Sequence, residues 1–144
     1  MYTPMTISGL TVDPITNSPI VILKAVEGDA TLPIWIGLLE ATAIASELEG
    51  VRFSRPMTHD LLKNMMEMVN IEVNRIEVCD LRDNTYYALI HFKFGGKEMS
   101  IDARPSDAIA LSLRLKAPIF VAEEVISKSS SIDLKAEPQD KSEK

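Results

Sequence analysis

The chain has 144 residues, and its 15 basic and 21 acidic side chains give a formal charge of −6. This charge argues against broad electrostatic adhesion to nucleic acid, which needs a basic face. The single cysteine excludes an intramolecular disulfide and a zinc site built from cysteines. The sequence has no signal-peptide pattern and no apolar run near the ~18 residues of a membrane span, so we expect a cytoplasmic protein with no membrane partner.

The first half of the chain predicts three strands followed by two helices. Apolar runs between turn residues indicate strands at residues 5–12, 20–26 and 31–36. Because Pro33 lacks a ladder N–H, the third strand is expected at an edge of the sheet or at a bulge. Apolar residues at helical spacing predict helices over residues 38–48 and 58–69, and Thr58 is the expected N-cap of the second. The methionines of this second helix are expected to fill the core.

The second half predicts three more strands, a third helix and a last strand. The expected ranges are strands 71–79, 86–94 and 99–103, helix 105–116 and strand 119–121. After a single domain over residues 1–127, the Ser-, Lys- and Glu-rich composition predicts a mobile charged tail at residues 128–144. The order βββ-αα-βββ-α-β has more hairpins than crossovers. It therefore predicts an α+β fold with a mixed, mostly antiparallel sheet packed by three main helices.

An Arg-Pro pair precedes each of the last two predicted helices, with Arg55 at the second helix and Arg104 at the third. Proline suits a first helical turn, but a cation is unfavourable beside the positive end of a helix. One hypothesis is that both arginines, together with Ser106 and the free N–H groups, bind successive phosphates of a nucleic acid strand. The alternative is that each arginine pairs with a nearby carboxylate and holds its corner in place.

Four acidic residues stand close to the starts of the predicted helices: Glu40, Asp60, Asp102 and Asp107. Metal-assisted phosphodiester hydrolysis uses two to four converging carboxylates around Mg²⁺ or Mn²⁺. Asp102 and Asp107 are the candidate metal ligands, and Asp107, Asp60 and Glu40 are candidate catalytic residues. His59 is a candidate general base or ligand, and its alternative role is that of a polar neighbour of the helix cap.

Four sequence blocks resemble the bifunctional nuclease domain family. They are LPIWIG at residues 32–37, RPMTHDLL at 55–62, DARPSDAIAL at 102–111 and APIFV at 117–121. The resemblance implies a nuclease that hydrolyses phosphodiester bonds of RNA and DNA and that forms a homo-oligomer. The resemblance also implies that the residues at the matching motif positions are candidates for the functional site: Glu40, Arg55, His59, Asp60, Asp102, Arg104 and Asp107. The alternative, which the acidic charge favours, is a non-catalytic regulatory or assembly module that binds a partner protein or a small anionic ligand.

Overall fold

The computed structural model describes the backbone of residues 1–135 and the side chains of residues 1–130. Within this range, seven strands form one sheet: β1 (Tyr2–Val12), β2 (Pro19–Ala25), β3 (Thr31–Trp35), β4 (Glu72–Arg82), β5 (Thr85–Phe94), β6 (Lys97–Ala103) and β7 (Ile119–Ala122). The helices of this part of the chain are α1 (Leu38–Leu48), α2 (Thr58–Met68), α3 (Pro105–Leu115) and α4 (Glu123–Lys135). None of these helices is long and apolar enough to cross a membrane.

The sheet has the strand order β3-β2-β1-β7-β4-β5-β6. Two antiparallel meanders, β1 to β3 and β4 to β6, are joined through β7, which pairs antiparallel with β1 and parallel with β4. The expected α+β fold with a mixed, mostly antiparallel sheet is therefore confirmed. Pro33 lies in β3 at one edge of the sheet, as its missing N–H requires.

The helix α3 lies at the centre of the helical layer, and eight of its 11 residues are buried. It packs against β4 and β5 on one side and against α1 and α2 on the other. Helix α2 packs mainly against α3, and none of its residues is buried. The expectation that its methionines fill the core is wrong for Met65, which is 58% exposed, whereas Met66 is partly buried against the core. Helical periodicity identifies an apolar face, but it does not determine whether another element covers that face.

The helix α4 is an element that the sequence analysis did not predict, and it crosses the predicted domain boundary after residue 127. Ser129 is only 2% exposed, and its Oγ accepts a hydrogen bond from the Tyr86 hydroxyl at 3.2 Å. Lys128 Nζ donates to the carbonyl oxygen of Leu81 at 3.4 Å. The run of serines conceals this helix because serine is a weak helix former and is not apolar. Residues 136–144, the rest of the predicted tail, lie outside the described residues.

Candidate active site

A groove of about 280 Å³, called the first groove below, opens where the starts of three helices come together. Its walls include Glu40 from the first turn of α1, His59 from the first turn of α2, and Arg104 and Asp107 from the start of α3. The unpaired N–H groups at the start of each helix carry a partial positive charge. Three such ends around one groove favour an anionic ligand.

A histidine and a carboxylate form a hydrogen-bonded pair in the first groove. His59 Nε2 lies 3.0 Å from Asp107 Oδ1, although 48 positions separate the two residues in the chain. The hydrogen bond from His59 lowers the pKa of the Asp107 carboxyl, and the adjacent Arg104 adds to this effect, so together they outweigh the opposing effect of burial. Asp107 therefore stays ionised at neutral pH and orients the imidazole, and within residues 1–130 no hydrogen bond is made by the imidazole Nδ1.

Arg104 bridges two carboxylates beside this pair. Its Nη2 lies 2.8 Å from Glu40 Oε2 and 3.0 Å from Asp107 Oδ2, and its Nε donates to the same Asp107 oxygen at 3.1 Å. Burial alone would lower the pKa of the guanidinium, but Asp107 and Glu40 raise it, so the positive charge is retained. Of the two hypotheses for the Arg-Pro corners, pairing of the arginine with nearby carboxylates is therefore the one observed for Arg104. Nη1 is the guanidinium nitrogen that these bonds leave for a ligand.

Asp60 serves a structural purpose at the start of α2. Its Oδ1 accepts a hydrogen bond from Arg114 Nε at 2.7 Å, and its Oδ2 accepts one from the backbone N–H of Met57 at 3.0 Å. Although burial opposes the shift, these bonds lower the pKa of the Asp60 carboxyl. The N-cap residue is Met57 and not the predicted Thr58, because the side chain that supports the helix start comes from Asp60.

Besides Asp60, three predicted site residues lie away from the first groove. Arg55 is exposed and lines a separate, second groove, so the two Arg-Pro corners do not face one another across a single site. Ser106 is 5% exposed and buried at the start of α3, and it does not line either groove. Asp102 is exposed on β6, the edge strand farthest from β3. The alternation of a strand and the turn of a helix carry these side chains in different directions.

The carboxylates of the first groove do not fit a divalent cation as they are arranged. Among the side chains of residues 1–130, no three His, Cys, Asp or Glu residues are gathered in a group that could hold a metal. Glu40 and Asp107 both contact the Arg104 guanidinium, so a positive charge already lies between them. A metal ion there would have to displace this arginine, and we therefore assign no catalytic step to a metal.

Two residues that build the first groove, Arg114 and Phe53, were not among the candidates predicted from the sequence. Arg114 is 8% exposed, and besides Asp60 it bonds the carbonyl oxygens of Ala110 and Ala43 at 2.9 and 3.1 Å. It stands seven residues after Asp107 in a largely apolar helix, so both lie on one helix face, and this spacing could have identified it. Phe53 also lines the groove, but it belongs to a loop, where no periodic pattern indicates its position.

A second histidine–carboxylate pair lies outside both grooves, on strands β4 and β5. His91 Nε2 is 2.9 Å from Glu77 Oε1. Glu77 is also bound by Arg75 at 2.6 Å and is only 4% exposed. Neither His91 nor Glu77 lines the first or the second groove, which makes this pair an internal comparison for His59 and Asp107.

Comparison with known proteins gives a family match over most of the chain. The model of the Bifunctional nuclease domain matches residues 21–133. An uncharacterized protein of Mycobacterium tuberculosis is 38% identical over 121 residues, which cover 84% of this chain and 72% of the relative. Bifunctional nuclease 1 of Oryza sativa subsp. indica and Bifunctional nuclease 2 of Arabidopsis thaliana are each 30% identical over 105 residues. These matches cover 70% of this chain but 32% of each plant protein.

Proposed function

The chain belongs to the bifunctional nuclease domain family, and on that premise we propose that it hydrolyses phosphodiester bonds of RNA and DNA in the first groove. The observation that carries this proposal is the hydrogen-bonded pair of His59 and Asp107 beside Arg104, at the meeting point of three helix starts. A general base, a group that orients it and a cation for the phosphate are parts with which an enzyme can hydrolyse a phosphodiester.

Each residue of the pair has a separate role in the proposed reaction. His59 accepts a proton on Nδ1 from a water molecule as the water oxygen forms a bond to phosphorus. Asp107 holds the imidazole through Nε2 and stabilises the imidazolium that results. The bond from phosphorus to the leaving oxygen breaks, and that oxygen takes a proton from solvent water.

Arg104 and the helix N–H groups bind the phosphate oxygens in this proposal. The guanidinium retains its charge beside Glu40 and Asp107, and Nη1 is the nitrogen available to a phosphate. A second phosphate contact forms when the substrate displaces Glu40 from Nη2, because phosphate and carboxylate oxygens are equivalent acceptors for a guanidinium. Glu40 therefore holds Arg104 in position before the substrate binds.

The experiment compares cleavage of single-stranded RNA and DNA by wild type, His59→Ala, Asp107→Asn and His91→Ala, purified identically. Loss of the base is expected to reduce the rate at least about 100-fold, and loss of the orienting carboxylate at least about 10-fold. His91→Ala removes the matched histidine outside the grooves and should leave the rate within about twofold of wild type. Equal rates for His59→Ala and wild type would refute the site, and an inactive wild type would refute the nuclease.

Two further expectations from the sequence stay predictions. Assistance by Mg²⁺ or Mn²⁺ is tested when each cleavage reaction is run with either ion and with EDTA. Loss of cleavage in EDTA, restored by one of the ions, would require ligands other than the Arg104-bound carboxylates as they are arranged. The cytoplasmic location is tested by fractionation of the cells that make the protein.

We also propose that the chain forms a homo-oligomer through an apolar face of α2. Met57, Leu61, Met65 and Met68 follow one another at spacings of four, four and three residues, and each is between 46% and 82% exposed. A continuous apolar stripe of this kind is uncommon on a monomer and is typical of an association surface. The same surface favours the assembly-module alternative, which differs from the nuclease in predicting association without cleavage.

A further inference from the structure

A second groove, of about 350 Å³, adjoins the first groove behind the start of α2. The two grooves share Ser46, Phe53 and Arg114, so they are neighbouring parts of one surface. The first groove contains the histidine pair, whereas the second contains no histidine or cysteine. Its lining is instead rich in cations, which suits it to binding an anion.

The second groove has the opposite charge to the rest of the protein. It is lined by two acidic residues, Glu47 and Asp60, and by five basic ones: Arg52, Arg55, Lys63, Arg114 and Lys116. The resulting balance is +3 in a chain whose formal charge is −6. A third of the 15 basic residues thus line one concave surface, where their fields add and attract an anion.

Most of these cations are not neutralised by neighbouring carboxylates. Arg114 is paired closely with Asp60, but Arg52 lies 3.9 Å from Glu47 with a side chain that is 80% exposed. Lys63 has a similar distant pair with Glu67, also at 3.9 Å. Exposed ion pairs at this separation are weak, so they neutralise little of the positive charge. Arg55 and Lys116 have no acidic partner among the side chains of residues 1–130, which leaves a site that lacks its counter-charge.

Phe53 marks the boundary between the two grooves. It lines both of them, and 47% of its surface is exposed. An exposed aromatic ring next to a basic groove is a stacking platform for an unpaired base. A single strand can present an unpaired base to this ring, whereas the bases of a duplex are stacked and paired.

We propose that the second groove binds the phosphates of a single nucleic acid strand next to the bond cleaved in the first groove, with a base stacked on Phe53. This inference rests on the proposed nuclease function and extends it from the bond that is broken to the part of the substrate that provides affinity. It also explains how an acidic protein holds a polyanion, because the contact is confined to one basic groove.

The test measures binding of a fluorescent 10-nucleotide single-stranded DNA by anisotropy, in the His59→Ala background with EDTA so that the probe stays intact. Arg55→Gln combined with Lys63→Gln should lower the slope of log affinity against log salt by about 1.4, at about 0.7 for each lost phosphate contact. This change in slope makes the affinity of the double variant about 25-fold weaker than that of the unchanged groove at 0.1 M salt. The matched control is Lys93→Gln with Lys97→Gln, which removes the same charge from exposed positions on β5 and β6.

The stacking contact is tested with Phe53→Leu, against Phe94→Leu as a control of equal exposure. Phe53→Leu should weaken binding of the single strand about 10-fold, and Phe94→Leu should not. A 10-base-pair duplex should bind more weakly than the single strand to the unchanged protein. Equal binding of duplex and single strand, with no effect of Phe53→Leu, would overturn the assignment to a single strand.

If the Arg55→Gln, Lys63→Gln variant bound the probe as tightly as the Lys93→Gln, Lys97→Gln control, the second groove would not be a strand-binding site. This conclusion would hold whether or not the protein cleaves. Displacement of the probe by equimolar pyrophosphate would also overturn the strand-binding site, since the groove would then be a site for a small anion. The expected binding pattern in a protein whose wild type does not cleave would instead refute the nuclease function and support the groove. Failure of one proposal is thereby distinguished from failure of the other.

Discussion

Replacement of Asp60 by asparagine separates a structural role of this residue from the catalytic role predicted for it. Asparagine keeps an oxygen that can accept the Met57 N–H, so the support of the α2 start is retained. What it removes is the negative charge opposite Arg114, whose Nε donates to Asp60 at 2.7 Å. The perturbation is therefore directed at one ion pair between α2 and α3.

The expected loss of stability follows from the unequal burial of the two partners. The Arg114 side chain is 4% exposed, so in the variant it remains a buried cation with only the Ala110 and Ala43 carbonyl oxygens as acceptors. Removal of one partner from a fully buried pair costs about 3–5 kcal/mol. Because the Asp60 side chain is 33% exposed, water already screens part of the attraction, and we expect about 2–3 kcal/mol.

Thermal unfolding followed by circular dichroism measures this loss. For a chain of this size, 2–3 kcal/mol corresponds to a decrease in Tm of about 6–12 °C. Asp102→Asn, which removes an exposed carboxylate from β6, is the matched control and should shift the Tm by less than about 2 °C. If Asp60→Asn unfolded within 2 °C of wild type and yet lost cleavage, the ion-pair reasoning would be refuted and Asp60 would be catalytic.

The same ion pair predicts how the difference between variant and wild type depends on pH. The folded protein lowers the pKa of the Asp60 carboxyl, so the stabilisation is fully present above the unfolded value of about 3.9. It is lost as the pH falls through the lower folded pKa, where wild-type Asp60 becomes neutral like the asparagine. The difference in Tm between variant and wild type should therefore be constant between pH 6 and 8 and should shrink below about pH 4. A difference that stayed constant down to pH 2 would show that the ion pair is not its cause.

Two further predictions concern packing and association. Tyr86→Phe removes a hydroxyl that lies 3.1 Å from the Pro33 carbonyl oxygen and 3.2 Å from Ser129 Oγ. Urea unfolding should show a decrease of about 1–2 kcal/mol in the free energy of unfolding. No change would mean that the contact with α4 does not contribute to stability. Met65→Gln should shift the protein to a smaller species in light scattering after size exclusion, whereas Met99→Gln on the β6 edge should not, and equal sizes for all three proteins would contradict association through α2.

The sequence alone was sufficient for the elements whose pattern is local. Alternating apolar residues predicted β5 within one residue at its start, and helical spacing predicted α1 with the bounds observed. The end of α1 is also explained locally, because Gly50 has a φ of +70° that other residues rarely adopt. Helix α4 was not predicted because its serines provide no apolar period, although Val125 and Ser129 are buried.

The candidate site divides in the same way. Residue types and helix starts pointed to Glu40, His59, Arg104 and Asp107, and all four line the first groove. The sequence also left open whether Arg104 binds a phosphate or a carboxylate, and in the structure it contacts Glu40 and Asp107. Its equivalent at the other corner, Arg55, has the same local pattern but lines a different groove.

Only the tertiary structure decided which of these side chains meet. His59 and Asp107 are 48 positions apart, and Asp60 and Arg114 are 54 apart, so neither contact lies within the range of a helical or strand period. The packing of α1 and α2 on α3 brings three helix starts to one groove and turns Asp60 away from it towards Arg114. Local periodicity determines the face on which a residue lies, but the partner that this face meets depends on how distant segments pack.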